Sequence, residues 1–173
     1  MSAPRQLNAG KEEMGKPNTT PYPDLANPDY VNRSLAIACT RGREAVVVRF
    51  RDIFHRQDFS EQQWRVLRIL FDQGAMTATD ICKQSCIHKV SMSRILKSLE
   101  KRDFVERSTS ECDNRSALVQ LTQQGVELLD PLVEEAAVIH REITREFGPE
   151  KYQLLLTLLR ELAEINETPR TPE

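Results

Sequence analysis

Apolar positions along this chain recur at helical spacing, except in one short region where they alternate. From Asn32 to Gln57 the series Leu35, Cys39, Gly42, Val46, Phe50 and Ile53 returns every three to four residues and predicts a helix. Ser60-Glu61-Gln62-Gln63 reads as a capping box, in which a hydroxyl and an amide three residues apart satisfy free backbone donors. The helix it opens carries Trp64, Leu67, Leu70 and Phe71 on one face and stops at Gly74. Thr77, as a cap, and Asp80 start a short helix through Ser85. After a turn at Cys86 to His88, a helix from Lys89 to Arg102 is expected to bury Val90, Ile95 and Leu99, with Met92 partly covered. Lys89, Ser91, Ser93, Arg94 and Lys97 are left facing outward.

Alternation begins after this helix. Phe104 to Arg107 and Ala117 to Leu121 read as strands on either side of the polar stretch Ser108 to Ser116. Thr122 caps a long helix to Phe147, whose face runs through Val126, Leu129, Val133, Ala136, Ala137, His140 and Ile143. Pro131 should kink that helix or mark its first turns. Gly148-Pro149 breaks the chain, and a last helix from Glu150 to Ile165 carries Tyr152, Leu155, Leu158, Leu159 and Leu162. Such leucine density exceeds what one small domain hides and predicts a partner subunit. Two helices joined by a tight turn, the second rich in donors, then a hairpin, form a winged helix-turn-helix. The expected fold class is therefore mainly α with a small β-hairpin wing, plus a helical dimerisation region.

The first 28 residues hold five of the nine prolines and few large apolar side chains. Such a segment buries too little surface to offset its ordering entropy. Residues 1–30 are read as a flexible arm, ordered if at all by a partner subunit, and 167–173 as a short tail. Between them, 31–166 are read as one domain: 58–121 the winged helix, 31–57 and 122–166 the dimerisation helices.

A net charge of −2 argues at first against nucleic acid. The distribution changes that. Residues 75–120 hold eight basic and six acidic side chains, whereas 122–167 hold four and ten. Phosphate contacts depend on the local field, which is screened within roughly 10 Å. No apolar run approaches the roughly 18 residues of a membrane span, and no secretory leader is visible. Four cysteines without a paired framework suit a reducing cytoplasm. The chain has no Gly-rich phosphate loop, no G-x-S-x-G and no H-E-x-x-H, so no enzyme is expected. Cys82-x-x-x-Cys86-x-His88 lacks a fourth ligand, so neither a metal nor another cofactor is expected. A purely helical interaction module would not need the hairpin.

With Asp113-x-Arg115-x-x-x-Val119-x-Leu121-Thr122-x-x-Gly125, the order of elements resembles the MarR family of dimeric winged-helix regulators. Arg43-Glu44-Ala45 and the stretch Ser60 to Leu70 look like the branch that includes the homoprotocatechuate-degradation regulator, whose members control aromatic-acid catabolism. One departure stands out. Where family members carry Gly after the recognition helix, this chain has Arg102-Asp103-Phe104-Val105, so Asp103 should take the left-handed position.

The resemblance implies a homodimer on a pseudo-palindromic double-stranded operator. Lys89, Ser91, Ser93, Arg94 and Lys97 would contact bases and phosphates. Arg115 would enter the minor groove, oriented by Asp113. It also implies an aromatic-acid effector, free or as its CoA thioester, that releases a repressor from a catabolic operon. Arg43, Trp64 and Arg68 are the candidate ligand-binding residues, with His140 and His55 behind them: a guanidinium for the carboxylate and an aromatic wall for the ring. A thiol-sensing repressor of the same fold is the alternative. Its relatives, however, carry a cysteine near the start of the first helix and tyrosines on the second, whereas Cys39 falls about one turn later and Gln62-Gln63-Trp64 offers no tyrosine. Cys82 and Cys86 read as small buried hydrophobes, and Cys112 lies in the wing.

Overall fold

A computed structural model describes residues 30–109 and 117–165. The chain divides into two packed units, one ending at Gly42 and one starting at Arg43. In the first, α1 (Tyr30–Arg33) is followed by the start of α2 (Leu35–Val47), and Ser34 Oγ accepts from Ile37 N at 3.4 Å.

The single helix expected from Asn32 to Gln57 is instead several pieces. After α2 the backbone tightens into a 3₁₀ turn at Val48–Phe50 before α3 (Arg51–Gln57). Val46-Val47-Val48 is a run of β-branched residues, stiff at χ1 and crowded against the preceding turn, which weakens regular α-helix there. Asp58 closes α3 in the left-handed conformation at φ 51°.

The rest of the second unit follows the sequence pattern closely. Helix α4 (Glu61–Gln73) opens on the complete capping box of Ser60 and Gln63, with Gly74 past its end. Thr77 caps α5 (Ala78–Ser85), and α6 spans Lys89–Lys101. Asp103 does adopt the left-handed conformation, at φ 59°. Thr122 caps α7 (Gln123–Phe147), which runs on past Pro131, and Pro149 begins α8 (Pro149–Glu164).

The wing is part of a three-stranded antiparallel sheet ordered β1-β3-β2. β2 (Val105–Thr109) pairs with β3 (Ala117–Leu121) from Val105 opposite Leu121 to Thr109 opposite Ala117. The third strand, β1 (Met76–Thr77), is absent from the sequence reading because two residues are too short to show a period. It pairs Met76 with Val119 and so ties the wing base to the start of α5.

Ile53, Leu67, Ile81, Met92, Leu96 and Leu129 are fully buried and join α3 to α7 into one core. Burial on α6 differs from expectation at Val90 and Met92, the latter being fully buried rather than partly covered. Val90, expected inside, is 71% exposed. Met92, Ile95, Leu96 and Leu99 form the inward stripe of α6, and Val90 stands about 200° around the helix from Met92 at 3.6 residues per turn. On α8, Leu154, Leu155, Leu158 and Leu159 are exposed. No helix among the described residues is long and apolar enough to cross a membrane.

Candidate functional site

Two features stand out, both in contact with α4. The first is the turn between α5 and α6. Cys86 takes the left-handed conformation, and Ile87 N returns to the Cys82 carbonyl at 3.2 Å, closing α5 in one residue. The buried Ser85 hydroxyl donates to the Ile81 carbonyl at 2.6 Å. This compact turn sets α6 across α5. Lys89, Ser93, Arg94 and Lys97 are exposed on its outer side, and Ser91 is half-buried.

The far end of α6 is clamped. Arg102 donates to the carbonyls of Gln57 and Asp58 at 2.7 and 2.8 Å, capping the end of α3. Its guanidinium lies 4.8 Å from the ring centroids of both Phe59 and Phe104. The exposed face of α6 is thus presented by a helix held at both ends. Asp113, Arg115 and Cys112 lie outside the described residues.

The second feature is a cavity of about 360 Å³ between the end of α2, α4 and α7. Phe50, Phe54, Trp64, Val133 and Ala136 supply apolar walls, and Glu61, Arg65, Arg68 and His140 supply polar groups. Phe54 and Trp64 rings pack at 6.2 Å between centroids, and Phe50 and His140 at 5.2 Å. Arg68 Nη2 donates to Asp72 at 3.0 Å, whereas Nη1 is buried and has no hydrogen-bond partner among the described residues. Partial burial, and then the positive charge of Arg68, hold His140 below the ordinary imidazole value.

Glu61 is the cavity's acid. Burial raises its carboxyl, but hydrogen bonds from Arg65 and Arg43 outweigh burial, and the net shift is downward. Arg65 donates to Glu61 at 2.5 Å and, through Nη1, to the Ser85 carbonyl at 2.7 Å. One side chain therefore touches both the cavity and the end of α5.

Of the residues singled out in the sequence, Trp64, Arg68 and His140 line this cavity together. Arg43 stands behind it, paired with Glu61. His55 opens instead on a separate depression with Arg51, Phe54, Asp58 and Phe59. Sequence reading missed Glu61 and Arg65, although Glu61, Arg65 and Arg68 sit at i, i+4 and i+7 on the face that also holds Trp64. Phe50 belongs to the helical stripe of the sequence, and Phe54 lies off it. Cys39 and Cys86 are exposed free thiols and Cys82 is half-buried; Cys86 is thus not the buried hydrophobe expected, because it lies past the end of α5 in the left-handed turn. Among the described residues no three metal-ligating side chains cluster.

A family model described as the MarR family matches residues 59–117. The HTH-type transcriptional regulator FarR of Neisseria gonorrhoeae is 35% identical over 134 residues, covering 78% of this chain and 92% of that protein. The homoprotocatechuate degradative operon repressor of Escherichia coli is 35% identical over 128 residues, covering 74% and 86%. Among solved structures, that of NadR in complex with 4-hydroxyphenylacetate matches at a TM-score of 0.69 and 34% identity, covering 78% of this chain and 98% of that one. The capped helix-turn-helix, the wing base and these matches agree, and this chain belongs to the MarR family of DNA-binding transcriptional regulators.

Proposed function

We propose that this protein is a cytoplasmic, homodimeric repressor of an aromatic-compound catabolic operon, released from its operator when the cavity takes up an aromatic carboxylic acid. The observation that carries this reading is Arg68 Nη1, a buried donor without a partner at the wall of an aromatic-lined cavity. Leaving a buried charged donor unpaired is costly, and a carboxylate is the group that best matches a guanidinium. Phe54 and Trp64 would cover the ring, and neutral His140 could exchange a hydrogen bond with a ring hydroxyl. A cavity of about 360 Å³ suits a single-ring acid. A CoA thioester would enter by its acyl group alone.

The similarity to the homoprotocatechuate repressor and to NadR in its 4-hydroxyphenylacetate complex supports the same ligand class. In the dimer, two α6 helices would lie about 34 Å apart, one turn of DNA, and read a pseudo-palindrome. Arg65 offers a route for release. It holds Glu61 on the cavity wall and Ser85 beside the turn into α6, so a shift of the wall would move that turn. The ligand must bind the DNA-incompetent state more tightly by a few kcal/mol for this to work.

Calorimetric titration of the purified protein with benzoate, cinnamate and hydroxyphenylacetate, alongside a mobility shift on DNA flanking its own gene, tests the reading. Heat of binding with release of the shifted band is the expected result. No heat and no release with any of these acids would overturn it.

A further inference from the structure

The outer side of α6 carries an apolar side chain that the packing does not explain. Val90 is 71% exposed, while Met92, Ile95, Leu96 and Leu99 complete the buried stripe without it. Its neighbours at helical spacing are Arg94, Lys97 and Lys101, at i+4, i+7 and i+11, and all are exposed. Val90 thus stands at the N-terminal end of an otherwise cationic stripe. It is the second residue of α6, following the N-cap at His88.

That placement has a chemical meaning if α6 enters the major groove. The N-terminal residues of a recognition helix reach the base edges, while cations further along meet phosphates. An isopropyl group donates and accepts no hydrogen bond, so it reads neither guanine, adenine nor cytosine edges. The one apolar group in the major groove is the thymine C5-methyl. Arg94 and Lys97, by contrast, serve charge and hydrogen bonding, and any phosphate contact they make is indifferent to sequence.

We propose that Val90 is a specificity-determining residue that packs on a thymine methyl once in each half-site. This rests on the DNA-binding reading of α6 and adds to it which base is selected and by which atom. Burying a methyl pair releases no counterions, so Val90 should alter base preference without changing the salt dependence of binding.

The test uses the full-length protein. Binding sites are selected from a random duplex library, and each thymidine of the selected half-site is replaced in turn by deoxyuridine, which lacks only the methyl. We expect one position per half-site at which this replacement weakens wild-type binding about fourfold, the size of one buried methyl group. Val90→Ala should lose the distinction between thymidine and deoxyuridine at that position, keep its salt slope and melt like the wild type. Val90→Thr, which retains one methyl, should keep part of the distinction. If deoxyuridine is tolerated by the wild type at every half-site position, the proposal is wrong, and this outcome does not depend on any variant. An equal deoxyuridine penalty in wild type and Val90→Ala would also overturn it, since another side chain would then hold the methyl. Failure to enrich any DNA at all would overturn the reading of α6 itself, and this proposal with it.

Discussion

A Cβ placed on Gly125 would stand 2.2 Å from the carbonyl oxygen of Phe104. That carbonyl already accepts from Thr122 N at 3.1 Å, and Thr122 Oγ1 donates to the Asp103 carbonyl at 2.6 Å while accepting from Gly125 N. The start of α7 is therefore set backbone against backbone on the residue that begins the wing. On an open helix face, Gly→Ala stabilises by about 1 kcal/mol. Here the methyl meets a fixed carbonyl, and overpacking of roughly 1–3 kcal/mol should dominate. Gly125→Ala is expected to lower the urea midpoint; an unchanged or raised midpoint would show that α7 can move away freely.

Arg68→Met should separate ligand binding from folding. The substitution removes a buried donor that has no partner, so stability should hold or rise slightly. Affinity for an aromatic acid should fall roughly tenfold or more, the scale of a lost charged hydrogen bond, with operator affinity kept. Calorimetry beside a thermal melt reads both. Undiminished acid binding would move the carboxylate to another residue.

His140 should make stability depend on pH. Its burial and the charge of Arg68 lower its folded value below the ordinary value of about 6.5. Between the two values the unfolded chain binds the extra proton. This contribution is therefore intact above about pH 6.5 and lost as pH falls through the folded value. Going from about pH 7.5 to about pH 5.5, the wild type should lose more melting temperature than His140→Gln. Equal losses would mean that His140 titrates normally. A bound carboxylate should raise its value and shrink the difference.

Arg94→Ala should weaken operator binding roughly tenfold or more, the scale of 1–3 kcal/mol for a base contact. Lys97→Ala should act evenly across sequences and reduce the salt slope by about 0.9 for each phosphate lost. Fluorescence anisotropy at several salt concentrations distinguishes the two roles. Both residues are exposed, so melting temperatures should not move.

Leu158 on α8 is 51% exposed, beside Leu154, Leu155 and Leu159. Leu158→Glu should shift the molecular mass measured by light scattering from dimer towards monomer, and weaken operator binding with it. A variant that remains a dimer of unchanged stability would place the subunit contact elsewhere.

Local chemistry accounts for what was legible beforehand. Ser60 with Gln63, Thr77, Gly74 and Thr122 mark helix ends because each satisfies or frees specific backbone groups a few residues away. Asp103 could be placed in the left-handed conformation because it stands where the resembled family carries a glycine. Val90 was misplaced for an instructive reason: an apolar residue next to a helix start looks buried unless the whole stripe is fixed, and Leu96 fixes it. The cavity was half legible. Trp64 and Arg68 share a helix with Glu61 and Arg65, but Phe50 and Phe54 come from the 3₁₀ turn and α3, and their meeting with α4 is a matter of packing that no local spacing shows.

The sequence by itself determined the helices from α4 onward, their caps, the two strands of the wing and the family, since each depends on neighbours within about one helical turn or on a short motif. Tertiary structure alone decided which arginine nitrogen among the described residues is left buried without a partner. Arg43, Arg49, Arg56 and Arg65 each meet a carboxylate, and Glu146 and Glu135 come from 97 and 79 residues away. Arg68 keeps one buried nitrogen unpaired. Pairing across such separations is set by how α3, α4 and α7 pack, and no spacing along the chain encodes it.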